Sequence, residues 1–370
     1  MTKLTFAVLV FFSFFLGIAA YSQPSSNNSL PVRGFCIGSP GPNEVDAFIK
    51  FIAEELAPRK VNTLILRIDY EYQYKSHPEL VQDDALSEAD VKKIVAVCKA
   101  NQIRLIPQIN LLGHQSWASK VNKLLEVYPQ FDETPEVKMP EKYKWPNDDE
   151  LYCKSYCPLH PEVHNVVFDL VDEICDVFET NAFHAGMDEV FYLGSDKCPR
   201  CSGRDKAELF AGEVNLIRNH LAQKNRQLWI WGDRLIDGKT TGMGEWEASM
   251  NNTYRAIDLI YKDVMICDWH YERPDQTAVY FATKGFNVVT CPWRNPEVAV
   301  KQTQDMFRYR ASVTPEMKDR FQGMMQTIWS GAGPFMDEYY GRKTDPEAGK
   351  NTQTNCFKAM FDEIKMETTN

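Results

Sequence analysis

Eight short apolar runs recur along the chain, at 32–37, 61–69, 103–110, 183–187, 227–231, 264–269, 286–291 and 323–329. Stretches with helical periodicity stand between most of them, at 43–56, 87–100, 161–179, 206–224, 275–284, 295–310 and 351–365. In the first of these, Ala47, Phe48, Phe51, Ile52 and Leu56 share one apolar face. Ser87 is a helix N-cap with Asp90 at the capping-box spacing, and Pro161 suits a first helical turn. Strands alternating with helices require a mostly parallel sheet covered by helices, and eight such units match a (β/α)8 barrel. An open doubly wound sheet is the structural alternative. It calls for a glycine-rich phosphate turn after the first strand, where this chain has the proline-broken loop Gly38-Ser39-Pro40-Gly41-Pro42. The expected fold is therefore α/β: a single (β/α)8 TIM barrel with a long irregular segment, about 111–160, after the third strand.

The remaining chain divides simply. Lys3 precedes an apolar run over 4–20, and Ala20-Tyr21-Ser22 offers small residues for cleavage before Gln23. Residues 1–22 read as a secretory signal peptide, 23–30 as a short polar tether and 31–370 as the barrel. The rival reading, an uncleaved anchor, requires a longer span and a basic stop after it. The expectation is an exported protein, periplasmic or extracellular, without stable membrane insertion after cleavage. Lys plus Arg number 41 against 51 Asp plus Glu, a net charge of −10 with no long basic run, which argues against a nucleic-acid partner.

Of the ten cysteines in an exported chain, nine fall into two groups. Cys36, Cys98, Cys175, Cys267 and Cys291 lie in apolar segments and read as small core residues. Cys153, Cys157, Cys198 and Cys201 lie in polar, loop-like segments on either side of the fourth strand. Those four fit a structural zinc, one or two disulfides, or free thiols, and the spacing leaves all three open.

Barrel chemistry gathers where strands end and loops begin. Asp69 ends the second run, the third leads to Gly113-His114, and Asp188-Glu189 follow the fourth. The fifth ends in Trp231-Gly232-Asp233, the sixth in Asp268-Trp269-His270-Tyr271, the seventh near Trp293 and the eighth in Trp329. Carboxylates among flat apolar walls suit a sugar, whose CH faces stack on rings while its hydroxyls bond to acids; glycosidic cleavage also needs a proton donor beside a second carboxylate. His184 alternates inward with Gly186 and Asp188, either as a packed imidazole or as a partner that orients a carboxylate.

The run His184-Ala185-Gly186-Met187-Asp188-Glu189 resembles the His-x-Gly-x-Asp-Glu motif of glycoside hydrolase family 20, the β-N-acetylhexosaminidases. Arg33-Gly34 is similar to the family's Arg-Gly, whose Arg binds hydroxyls of the terminal sugar. Asn110 to His114 resembles its Pro-Gly-His loop, with Leu112 in place of the proline. Trp231, Trp269 and Trp329 fall where the family keeps the walls of its acetamido pocket. Asp69 is kept, although the family's histidine on that strand is missing. Ser330-Gly331 stands where a sugar-holding Glu is usual, and Cys291-Pro292-Trp293-Arg294 where the pocket tyrosine is usual.

The resemblance implies a substrate-assisted mechanism. Glu189 would be the acid and base. Asp188 would orient the 2-acetamido group that attacks the anomeric carbon. Arg33, Asp69, His114, His184, Trp231, Trp269, Trp293 and Trp329 would bind substrate, a glycan with terminal N-acetylhexosamine, and no cofactor would take part in catalysis. Two rivals stand beside this reading. One is a barrel glycosidase with a protein nucleophile such as Glu245, Glu247 or Asp268; the other is a glycan-binding relative without turnover.

Overall fold

The computed structural model of the chain describes residues 29–143, 153–343 and 349–369. The leader 1–22 and most of the tether lie outside the described residues. Among the described residues, no helix is long and apolar enough to cross a membrane.

Eight strands close a barrel: β1 (Val32–Gly38), β2 (Thr63–Arg67), β3 (Arg104–Leu111), β4 (Ala182–Gly186), β5 (Gln227–Trp231), β6 (Met265–Trp269), β7 (Asn287–Cys291) and β8 (Phe321–Gly331). Each pairs in parallel with its neighbours in sequence, and β8 returns to β1. Every expected strand is present, with ends displaced by two residues at most. The longer helices are α1 (Val45–Phe51), α2 (Glu88–Ala100), α3 (Val163–Val177), α4 (Lys206–Ala222), α5 (Thr277–Thr283), α6 (Pro296–Ser312), α7 (Ala332–Tyr339) and α8 (Gln353–Thr369).

Successive strand residues face opposite sides, and the two sets build two cores. Cys36, Ile65, Ile106, Trp229, Trp231, Cys267, Trp269, Val289, Cys291 and Met325 fill the barrel interior. Their neighbours Phe35, Leu64, Leu66, Leu105, Phe183, Leu228, Ile266 and Val288 pack outward against the apolar helix faces. This double burial is why the strands read as continuous apolar runs.

Two local differences have physical causes. The helix expected over 43–56 continues from α1 into a π-helical turn, Ile52–Leu56. Helix α7 was not expected; Gly331, Gly333 and Pro334 are residue types that favour loops. Pro334 lies in its first turn, where a missing N–H costs nothing, and Gly333 sits against Glu44, whose Oε1 a Cβ would meet at 1.8 Å. The irregular segment after β3 carries a small hairpin (Ser116–Trp117 with Lys120–Val121) and a one-turn helix, Lys123–Val127.

Candidate active site at the carboxyl end of the barrel

Non-glycine residues with left-handed backbone gather at three adjoining strand ends: Asp69 (φ 43°), Leu112 (61°), His114 (53°), Met187 (71°) and Glu189 (48°). Each such residue costs of order 1–3 kcal/mol, and clusters of them mark places where geometry matters more than local comfort. The glycines between them are there for room. At Gly186 (φ 68°) a Cβ would lie 2.5 Å from Asn110 Oδ1, and at Gly113 it would lie 2.8 Å from the Asp188 carbonyl oxygen. The tight seam between β3 and β4 thus demands the two glycines seen in the sequence.

The seam brings three side chains together. His114 Nε2 lies 3.1 Å from Asp188 Oδ2 and 3.2 Å from Glu189 Oε2. Burial disfavours a charge on His114, but the Asp188 carboxylate beside it holds its pKa well above the usual histidine value. Burial likewise opposes the Asp188 charge, and His114 outweighs it, leaving that carboxyl below its ordinary range. The second oxygen of Asp188, Oδ1, is buried and accepts no hydrogen bond.

Glu189 is held from two other sides. Its backbone N–H donates to Asp233 Oδ2 at 2.9 Å, and the Cys153 thiol donates to its Oε2 at 3.4 Å. Burial pushes the Cys153 thiol pKa up, so the sulfur keeps its proton. Asp233, fully buried, also accepts from Arg234 Nε at 2.6 Å and from Trp269 Nε1 at 3.3 Å. Burial raises its pKa to about 6 against the pull of Arg234.

Aromatic rings enclose the acids. Trp231 and Trp329 stand 5.6 Å apart, Trp269 and Tyr271 4.9 Å, and Tyr271 and Trp293 5.3 Å, measured between ring centroids. Trp329 Nε1 donates to the Tyr271 hydroxyl at 2.8 Å. Gln353, at the start of α8, accepts from Trp293 Nε1 at 3.1 Å and from the Trp329 backbone at 2.9 Å. Trp246 packs beside these rings and against Phe191.

The structure therefore places Asp188, Glu189, His114, Trp231, Trp269, Trp293 and Trp329 at one mouth. Four expectations need correction. Arg33 opens β1 at the opposite end of the barrel, where its guanidinium donates to the carbonyls of Lys60 and Leu30 at 2.7 and 2.6 Å. The arginine near the mouth is Arg67, at the end of β2: it stacks 4.9 Å from the Trp329 ring and donates to Ile328 O at 3.0 Å, and its buried Nε has no partner. Asp69 acts on the protein itself, accepting from the Asn110 N–H at 2.7 Å and from its side-chain amide at 3.2 Å. His184 packs 4.6 Å from Trp231 and accepts from the Gly186 N–H, with burial lowering its pKa to about 3; no hydrogen bond joins it to an acid. Cys153 departs from the other three cysteines to stand beside Glu189.

Asp233, Tyr271, Trp246, Arg67, Cys153 and Gln353 were not expected as site residues. Asp233 and Tyr271 follow strand ends and were open to that argument. Cys153 and Gln353 arrive from distant segments and carry no local signal. Two of the three rival nucleophiles are engaged elsewhere: Asp268 Oδ1 lies 3.1 Å from His270 Nε2, and Glu247 Oε2 lies 2.8 Å from His270 Nδ1.

Comparison with known proteins agrees with this geometry. Residues 45–331 match the family model described as glycosyl hydrolase family 20, catalytic domain. A beta-hexosaminidase of Akkermansia muciniphila is 31% identical over 115 residues, covering 31% of this chain and 21% of that protein. Beta-hexosaminidase subunit B1 of Dictyostelium discoideum is 26% identical over 268 residues, covering 66% of this chain and 44% of that one. The chain thus spans less than half the length of these curated relatives. The fold is shared with the Flavobacterium johnsoniae chitobiase, with TM-score 0.60 and 18% identity over 91% of this chain and 51% of that one. With a match that runs from α1 to the last residue of β8, the chain belongs to glycosyl hydrolase family 20.

Proposed function

We propose that the protein is an exo-acting hydrolase of terminal β-linked N-acetylhexosamine, working by the substrate-assisted retaining route. The observation that carries this reading is Asp188 Oδ1, a buried carboxylate oxygen with no hydrogen-bond donor, beside Glu189 and among tryptophans. An unmet acceptor in a dry site is costly, and an acetamido N–H on the substrate would satisfy it. Held this way, the acetamido carbonyl oxygen attacks the anomeric carbon, and the negative Asp188 stabilises the positive charge that develops on nitrogen. Glu189 protonates the departing oxygen and later takes the proton of the attacking water. The rings of Trp231, Trp269 and Trp329 exclude water and limit the acetamido to one orientation. Arg67, above Trp329 with an unpartnered Nε, is the group placed to bind an outer sugar hydroxyl.

The purified protein should release nitrophenol from aryl β-N-acetylglucosaminide and leave the corresponding β-glucoside intact. Glu189→Gln should lose at least about a hundredfold in kcat, and Asp188→Asn a comparable factor on the same substrate. Hydrolysis of the β-glucoside at a similar rate would instead support a protein nucleophile, and sugar binding with no turnover on any aryl glycoside would support a binding protein. The proposal extends to location: the leader directs the enzyme out of the cytoplasm, so the exported form should begin at Gln23 on N-terminal sequencing.

A further inference from the structure

Behind the acid pair, three cysteines and a glutamate from separate loops converge. Cys157 Sγ lies 3.5 Å from Cys201 Sγ and 3.6 Å from Cys198 Sγ. Glu133 completes the group, and the four ligand-type atoms all lie within 4.8 Å of one another. Every member is buried, and Glu133 is wholly so.

Three observations bear on what this cluster holds. The first is spacing. Metal–sulfur bonds of about 2.3 Å at tetrahedral angles place two sulfurs about 3.8 Å apart, whereas a disulfide needs about 2.05 Å. All three cysteines are unbridged, at separations close to the tetrahedral edge. The second is charge. Among the described residues Glu133 has no basic partner: its Oε1 accepts from the Ser195 N–H at 3.0 Å, and its buried Oε2 meets no donor other than the neighbouring Cys198 and Cys201 thiols. A carboxylate buried without a cation is strongly disfavoured, and a divalent cation facing Oε2 would remove the penalty. The third is the backbone. The N–H groups of Arg200 and Cys201 point to Cys198 Sγ, and that of Leu159 points to Cys157 Sγ. Once a metal holds the sulfurs deprotonated, such amides are donors that a thiolate ligand can accept from. The local sequence Cys198-Pro199-Arg200-Cys201-Ser202-Gly203 makes this turn, with Gly203 at φ 71°.

We propose that Cys157, Cys198, Cys201 and Glu133 form a tetrahedral zinc site. Its function is structural. The zinc ties the loop that leaves Glu189 to the segment that follows β3. Cys153, the donor to Glu189, lies in the same short stretch as Cys157, so the metal braces the sulfur that touches the acid. The all-cysteine set that spacing alone suggests gives way to three cysteines and a carboxylate, since Cys153 faces the mouth.

The test is metal content, read on the full chain purified without chelator or reductant and independent of any sugar chemistry. About one equivalent of zinc per chain is expected, released when the thiols are blocked with a mercurial. Cobalt in its place should give sulfur-to-cobalt charge-transfer absorption with the intense visible bands of a tetrahedral ion. Glu133→Gln and Cys198→Ser should weaken retention at least about tenfold, while Cys153→Ser should keep the metal. Under about 0.1 equivalent in the unmutated protein, with three titratable thiols or with a disulfide found among them by mass, would overturn the site. Because that reading uses the unmutated chain, misfolding of a variant does not protect the proposal.

Discussion

At the scale of single residues, the site depends on neighbours that the acids cannot do without. Glu189 is positioned through its backbone by Asp233 and through its carboxylate by His114 and Cys153. Cys153 is the least obvious of these, a protonated thiol used as a donor. A hydrogen bond of this kind contributes on the order of 1 kcal/mol, so Cys153→Ala should reduce kcat roughly three- to tenfold. Cys153→Ser should restore most of it, with KM little changed in both. Equal kcat in the alanine variant and the unmutated enzyme would remove Cys153 from the machinery. Arg33 shows the limit of motif matching: it has the right type and neighbour, and stands at the wrong end of a strand.

At the scale of elements, caps and strand ends follow local rules closely. Ser87 accepts from the Asp90 N–H at 3.2 Å while Asp90 accepts from the Ser87 N–H at 3.2 Å, the reciprocal pair its spacing predicts. Ser87→Ala should cost about 1 kcal/mol, read as a lower urea midpoint with unchanged slope. The end of β6 carries a pH effect. Burial opposes a charge on His270, but Asp268 and Glu247 raise its pKa from 6.5 to about 10. A raised pKa means that the folded state binds the proton more tightly than the unfolded chain. The stabilisation is complete below pH 6.5 and disappears as pH rises through about 10. The unfolding temperature should fall across that window, and His270→Asn should start lower and fall less. Parallel pH profiles for the two proteins would contradict the assignment.

At the scale of the molecule, the barrel closes where its ends meet, between β8 and β1, and an aromatic cluster covers that seam. Phe357 on α8 lies 5.3 Å from Phe35 on β1 and 6.1 Å from Phe335 on α7, between centroids. Removing a buried ring of this kind costs about 3–5 kcal/mol. Phe357→Ala should therefore lower the unfolding midpoint sharply, while kcat/KM of the folded fraction stays within roughly twofold, because the cluster lies outside the barrel wall. An unchanged midpoint would show that α8 is not what holds the seam.

Local sequence determined the elements: alternation of apolar runs and amphipathic stretches, Ser87 as a cap, and glycines where β3 and β4 press together. It also marked Asp188 and Glu189, because a catalytic pair must follow a strand and the six-residue motif is contiguous. These features depend on near neighbours in the chain, which a sequence displays directly. Tertiary structure decided the rest: that Arg67 rather than Arg33 reaches the mouth, that His114 rather than His184 holds the acids, that the Tyr271 hydroxyl meets Trp329, and that Glu133 rather than Cys153 joins the three cysteines. Each of these depends on which end of a strand faces the mouth, or on where a long loop returns. Direction and return are set by the closing of the barrel as a whole, which no short stretch of residues encodes.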